Sequence, residues 1–240
     1  MILTPKKTDW RESLISLLYP RRCPICDEVV PQGELIHRDC AANVQLVGPV
    51  TCVRCGKPLA DPGEETCTDC RRKRHVFQRN LAVFRYRSVA SSLYRFKYGG
   101  RQEYADYYAA VVEAAYGQAL CQLQPDALIP VPLHPARQRQ RGYNQAAVLA
   151  EAIGRRTGIP VEQAVRRVRN TIPMKELDEQ GRRNNLENAF LIDRDGVEYK
   201  RVIVIDDIYT TGSTMDAVAM VLRGSGTQEV WGLTLSIGQV

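Results

Sequence analysis

Two adjacent carboxylates, Asp206 and Asp207, close the apolar run Val202–Ile205, and a hydroxyl-rich loop, Thr210-Thr211-Gly212-Ser213-Thr214, follows shortly after. Neighbouring carboxylates repel and are costly to bury, so a strand that ends in them is built to hold something. Carboxylates in that place accept hydrogen bonds from sugar hydroxyls, directly or through Mg²⁺. A hydroxyl loop opening a helix offers backbone N–H groups and the positive end of the helix dipole to an anion, and Gly212 lets the chain wrap closely. Vicinal hydroxyls beside a phosphate describe a ribose phosphate. The lysine and spacing of a Walker A loop are missing.

A second chemistry lies near the start of the chain. Cys23-x2-Cys26 is followed by His37-x2-Cys40, and Cys52-x2-Cys55 by Cys67-x2-Cys70. Two residues between ligands let one tight turn aim both at a single ion, and two such pairs across a loop have zinc-ribbon spacing. Four ligands fill a tetrahedral shell, so two structural Zn ions are expected, with metal binding supplying folding free energy. His37 reads as a ligand or as a surface histidine beside Cys23, Cys26 and Cys40. Cys121, alone on an apolar helix, reads as core filling.

These groups need elements to position them. Residues 9–19 read as an amphipathic helix, with Trp10, Leu14, Leu17 and Leu18 on one face. Residues 21–75 hold seven of the eight cysteines and few apolar runs, a segment that needs a metal staple. From residue 80 strands and helices alternate, which predicts a doubly wound, mainly parallel α/β sheet. NLAVFRYRS reads as a hairpin, VASSLYRFKYGG and YNQAAVLAEAIGRRTG as helices, and KRVIVID as the central strand leading into a helix over 213–224. The units expected are residues 1–20, 21–75 and 80–240.

The 240 residues carry a net charge of +6, which excludes a histone-like polycation. The basic residues are unevenly placed. Arg85 to Gln102 has five and no acid, and Ala127 to Ala150 has three arginines and no acid. Such surfaces suit phosphates or nucleic acid, or are solvated faces. Arg137, Arg139 and Arg141, expected on a loop, and Lys97 suit pyrophosphate or a DNA backbone, or are simply exposed. Tyr86, Tyr94, Phe96 and Tyr98 interleave with arginine and lysine as in single-strand stacking platforms, or fill the core. Without a signal peptide's apolar core or a membrane-length stretch, the expected place is the cytoplasm, with reduced thiols.

VIVIDDIYTTGST is similar to the phosphoribosyl-pyrophosphate (PRPP) motif of type I phosphoribosyltransferases: an apolar run, two acids, then TTGxT. PVPLHPARQRQRGYNQA, residues 130–146, resembles the competence protein F (ComF) family, whose pattern reads roughly PVPLHPxRxRxRGFNQ. LYRFKYGG and the doubled ribbon match as well, so the resemblance runs from about residue 20 to the end. It implies a type I phosphoribosyltransferase-like domain behind a double zinc ribbon. Asp206 and Asp207 would meet the ribose 2′- and 3′-hydroxyls as the catalytic pair. Thr210, Thr211, Gly212, Ser213 and Thr214 would hold the 5′-phosphate, with Mg²⁺ on the pyrophosphate. It further implies service in DNA uptake, with single-stranded DNA as ligand, a competence helicase and recombination-mediator proteins as partners, and no membrane insertion.

The chain departs from the pattern at Met174, where the family often has glutamine, while Arg182 and Asn185 keep its R-x-x-N pair. Thr210 stands where purine-salvage enzymes have an acid that serves as base. Phosphoribosyl transfer therefore stays open beside a DNA- or partner-binding module with a vestigial or sensory PRPP pocket, and beside a nucleotide-salvage transferase. A transcriptional regulator fits less well, since no helix-turn-helix is visible.

Overall fold

The computed structural model describes residues 20–169, 186, 188–193 and 199–238. The helix expected over 9–19, Met174, Arg182 and Asn185 lie outside the described residues.

Four strands, β1 (Asn80–Arg85), β2 (Ala127–Pro130), β5 (Arg201–Tyr209) and β6 (Glu229–Ile237), form one parallel sheet in the order β1-β6-β5-β2. Continuous Val, Ile and Leu runs suit strands covered on both faces. Alternation splits β5 between two cores. Ile203 and Ile205, with Leu128, Leu233 and Leu235, face α3 (Tyr86–Tyr98), α4 (Tyr104–Leu123) and α6 (Gln145–Thr157). Val202 and Val204, with Ala82 and Ile129, face α7 (Ser213–Gly224) through Met215, Val218, Ala219 and Leu222. This is the doubly wound α/β class expected; two short helices, α1 (Arg38–Ala42) and α2 (Thr68–Arg72), lie before the sheet, one in each ribbon. Among the described residues no helix is long and apolar enough to cross a membrane.

Several local readings need correction. The expected hairpin at residue 80 is a strand that passes directly into α3, and β1 pairs in parallel with β6. Its free edge is covered antiparallel by the inter-ribbon segment: Val47 N–H donates to the Val83 carbonyl and Arg85 N–H to that of Gln45, each at 2.8 Å. The segment of Arg137, Arg139 and Arg141 is not a loop but α5 (Pro135–Arg141). Pro135 occupies its first turn, His134 Nδ1 accepts from the Ala136 N–H at 3.2 Å, and Gly142 ends it at φ +86°. Cys121 is exposed on α4, whereas its neighbour Leu120 is buried. The readings VEQAVRRV and NAFLI become a separate antiparallel pair, β3 (Val165–Arg167) and β4 (Phe190–Ile192).

Candidate functional site

The two carboxylates do not share one environment. β5 runs on through Tyr209, so Asp206 and Asp207 lie within the strand and point to opposite faces. Asp207 turns toward α3 and α6. Its oxygens take Lys97 Nζ at 2.8 Å and Gln145 Nε2 at 2.7 Å, leaving the residue 5% exposed. Gln145 in turn accepts from Arg141, whose guanidinium lies 4.7 Å over the Tyr98 ring. Asp206 turns toward α7 and lines a cleft with Ile208, the 210–214 loop and Thr234. One of its oxygens accepts from the Asp207 N–H at 2.8 Å. Burial, and then the neighbouring charge of Asp207, push the Asp206 carboxyl up to about 7. A carboxyl poised there gains from a hydroxyl donor or a cation that favours its charged form.

The loop wall of this cleft is the N-terminus of α7. Gly212 adopts φ +77°, and a Cβ there would sit 2.5 Å from Tyr209 Oη, so only glycine fits. The Thr211 and Ser213 hydroxyls are 2.9 Å apart, and Thr210 and Thr214 complete the lining. Free N–H groups, hydroxyls and a helix dipole converge there, an arrangement that suits a phosphate.

The arginines divide. Arg141 belongs to the Asp207 network, Arg137 is half-buried and Arg139 is exposed. Arg101 is instead spent on Asp27 of the first ribbon, 2.9 Å away. Tyr143 is core, its hydroxyl donating to the Phe96 carbonyl, and Asn144 caps α6 at the Ala146 N–H, 3.0 Å. Of the aromatics on α3, Phe96 is buried, while Tyr94 and Tyr98 are exposed and pack together at 5.1 Å.

Four contributors went unread in the sequence. Gln145 was hidden behind a capping motif. Arg167 lies 5.4 Å over the Phe190 ring, its basicity lowered to about 10 by burial and by Arg137, and partly restored by Asp206. The RRVR cluster was the signal available for it. His75 and Lys73, in the basic run Arg71 to His75 that follows the second cluster, reach the 210–214 loop.

Both cysteine clusters are assembled. Cys23, Cys26, His37 and Cys40 form one and Cys52, Cys55, Cys67 and Cys70 the other, with ligand atoms in each within 4.8 Å of one another. The Cys55 and Cys67 sulfurs are 3.6 Å apart, close to the ~3.8 Å edge of a zinc–thiolate tetrahedron. His37 aims Nδ1 at Cys26 Sγ, 3.3 Å away, and its Nε2 lies 3.0 Å from the Val29 carbonyl. A second nitrogen fixed by a backbone carbonyl is how a ligating histidine is oriented. Both donor sets fit zinc.

Comparisons with known proteins agree with this layout. The double zinc ribbon domain family matches residues 14–71. DNA utilization protein YhgH of Escherichia coli O157:H7 is 30% identical over 90% of this chain and 97% of its own. The crystal structure of purine phosphoribosyltransferase from Pyrococcus horikoshii Ot3 covers 55% of this chain and 73% of its own at 19% identity and a TM-score of 0.34, a likeness too partial to bear on function. Competence protein F of Haemophilus influenzae is 35% identical over 76% of this chain and 83% of its own. The chain thus belongs to the competence protein F (ComF) family.

Proposed function

We propose that the chain binds PRPP with Mg²⁺ at the join of β5 and α7, and that it serves DNA uptake with unpaired DNA as a second ligand. The observation that carries the first part is Asp206 facing a cleft whose other wall is a glycine-turned hydroxyl loop on a helix N-terminus. Ribose hydroxyls donate to Asp206, while Asp207, on the opposite face of the strand, holds Lys97 and Gln145 in place. The 5′-phosphate sits on Thr210 to Thr214. Lys97, held by Asp207, together with Arg137, Arg139 and Arg141 would supply positive charge for the pyrophosphate, and Mg²⁺, when bound, would add to that charge.

The names of the relatives, competence protein F and DNA utilization protein, support the second part. So does α3, which carries no acid and exposes Arg87, Ser91, Tyr94 and Tyr98 along one stripe. Bases stack on such tyrosines while arginines neutralise phosphates.

Calorimetry with PRPP and Mg²⁺ tests the site. Asp206→Asn should weaken binding at least about tenfold, the cost of one charge-assisted hydrogen bond, with zinc content unchanged; unaltered affinity would sink the assignment. Binding without transfer is the second reading, favoured by Thr210, which puts a hydroxyl and no base beside the loop. Pyrophosphate release in the presence of DNA or free bases separates the two.

A further inference from the structure

The segment leaving the second cysteine cluster packs against the start of α7. It seats the loop that the proposed phosphate site needs. His75, its side chain 2% exposed, places Nδ1 2.9 Å from Asp216 Oδ2 and Nε2 3.3 Å from Tyr209 Oη. The other Asp216 oxygen accepts from the Val76 N–H at 2.9 Å. Lys73 Nζ lies 3.2 Å from the Thr211 carbonyl and 3.3 Å from Asp216. Asp216 stands in the first turn of α7, so this tail holds the helix end and the loop together. Gly212 turns directly against it: a Cβ there would lie 2.9 Å from His75 Cε1. His75 also stacks on Phe77 at 4.6 Å, and Phe77 shares its apolar cluster with Cys52, Cys55, Tyr209 and Met215.

We propose that His75 and Lys73 are positioning residues for the Thr210–Thr214 loop, which makes the second ribbon a working part of the phosphate site. This rests on the PRPP reading above for its ligand, but not for its geometry. Cys70 begins the tail, and a ribbon without metal has no fold to anchor one. The loop's amides are useful to an anion only while they point together, and the tail fixes them from behind. The first ribbon's ties run elsewhere, to α3 and α4, through Arg95, Arg101 and Tyr104.

The test uses the full zinc-loaded chain and two readouts, PRPP affinity by calorimetry and amide hydrogen exchange of residues 210–216. His75→Ala should keep both zinc ions by elemental analysis, weaken PRPP roughly tenfold and speed exchange across the loop. His75→Gln, which can still donate to Asp216, should recover most of the affinity. Asp27→Asn, which loosens the first ribbon, should change neither readout. Loop exchange and affinity unchanged in His75→Ala would overturn the proposal, as would equal changes in Asp27→Asn. Absence of PRPP binding by the unaltered chain would sink the ligand reading alone, because the exchange comparison of His75→Ala with the unaltered chain still decides whether the tail seats the loop. Should His75→Ala lose metal, Lys73→Met repeats the comparison by removing the ammonium that holds the Thr211 carbonyl and Asp216.

Discussion

The two ribbons share one chelation pattern and hold different things. The first docks on the α3–α4 side: Arg95 donates to the Ile25 carbonyl at 2.6 Å, Arg101 pairs with Asp27, and Cys23, Val30 and Leu35 enter the core under those helices. The second docks on the opposite side of the sheet. Asn80 donates to the Cys55 carbonyl at 3.1 Å, Cys52 and Cys55 join the α7 core, and the tail reaches the phosphate loop. The carboxylates follow the same division, Asp207 toward the first side and Asp206 toward the second. A chelate spacing specifies a metal cage; the residues just outside the cage decide what the cage supports.

The largest expected effect breaks this comparison most directly. Cys40→Ser and Cys70→Ser should each lose one of two zinc ions and each lower thermal stability, since metal binding here is folding free energy. Only Cys70→Ser should also weaken PRPP, by about a hundredfold, because a loop misplaced by an ångström costs on that order. Elemental analysis, a melting curve and calorimetry on both variants decide it. Equal losses of affinity would mean that the ribbons act as one block.

What could be read in advance was local. Chelate spacing, the β5 run, the glycine stops and the inward faces of α3 and α6 depend on residues a few positions apart, so period and spacing expose them. Position in space did not follow. Gln145 meets Asp207 and His75 meets Asp216 across more than sixty residues of chain, pairings that no spacing encodes. The α5 arginines were misplaced for a different reason. Prolines and a glycine around RQRQR look like loop punctuation, yet Pro135 at the first turn and Gly142 at the end are a helix's own boundary residues.

A smaller effect should separate the carboxylates. Asp207→Asn leaves Lys97 without its buried partner and should cost about 3 kcal/mol in a denaturant titration. Asp206→Asn should act in the other direction at high pH. The Asp206 carboxyl titrates near 7 when folded and near 3.8 otherwise, so the folded state holds the proton more tightly. Stability from this group is complete below pH 4 and is lost as pH rises through 7. Between those limits the unaltered chain should lose no more than about 4 kcal/mol relative to Asp206→Asn, whose profile should be flatter. PRPP binding should run the opposite way, strengthening from pH 6 to 8 as the carboxylate becomes an acceptor. A stability difference that does not vary with pH would place Asp206 in water and remove the asymmetry.

The smallest effect contrasts one cation from each ribbon's attachment. Arg101 grips both oxygens of Asp27, at 2.9 and 3.0 Å, with both side chains about a third exposed or less. Lysine cannot form that fork, so Arg101→Lys should lower stability by about 0.5–1 kcal/mol, as for other partly exposed pairs, with PRPP affinity unmoved. Lys73 is more covered, and its ammonium holds the Thr211 carbonyl and Asp216. Lys73→Met keeps the apolar stem and removes that grip together with the ion pair to Asp216, so stability should fall by a similar amount, about 1 kcal/mol, while PRPP weakens about threefold or more. Two substitutions of similar thermal cost would then differ in binding, which follows only if one ribbon is a fastening and the other is part of the site.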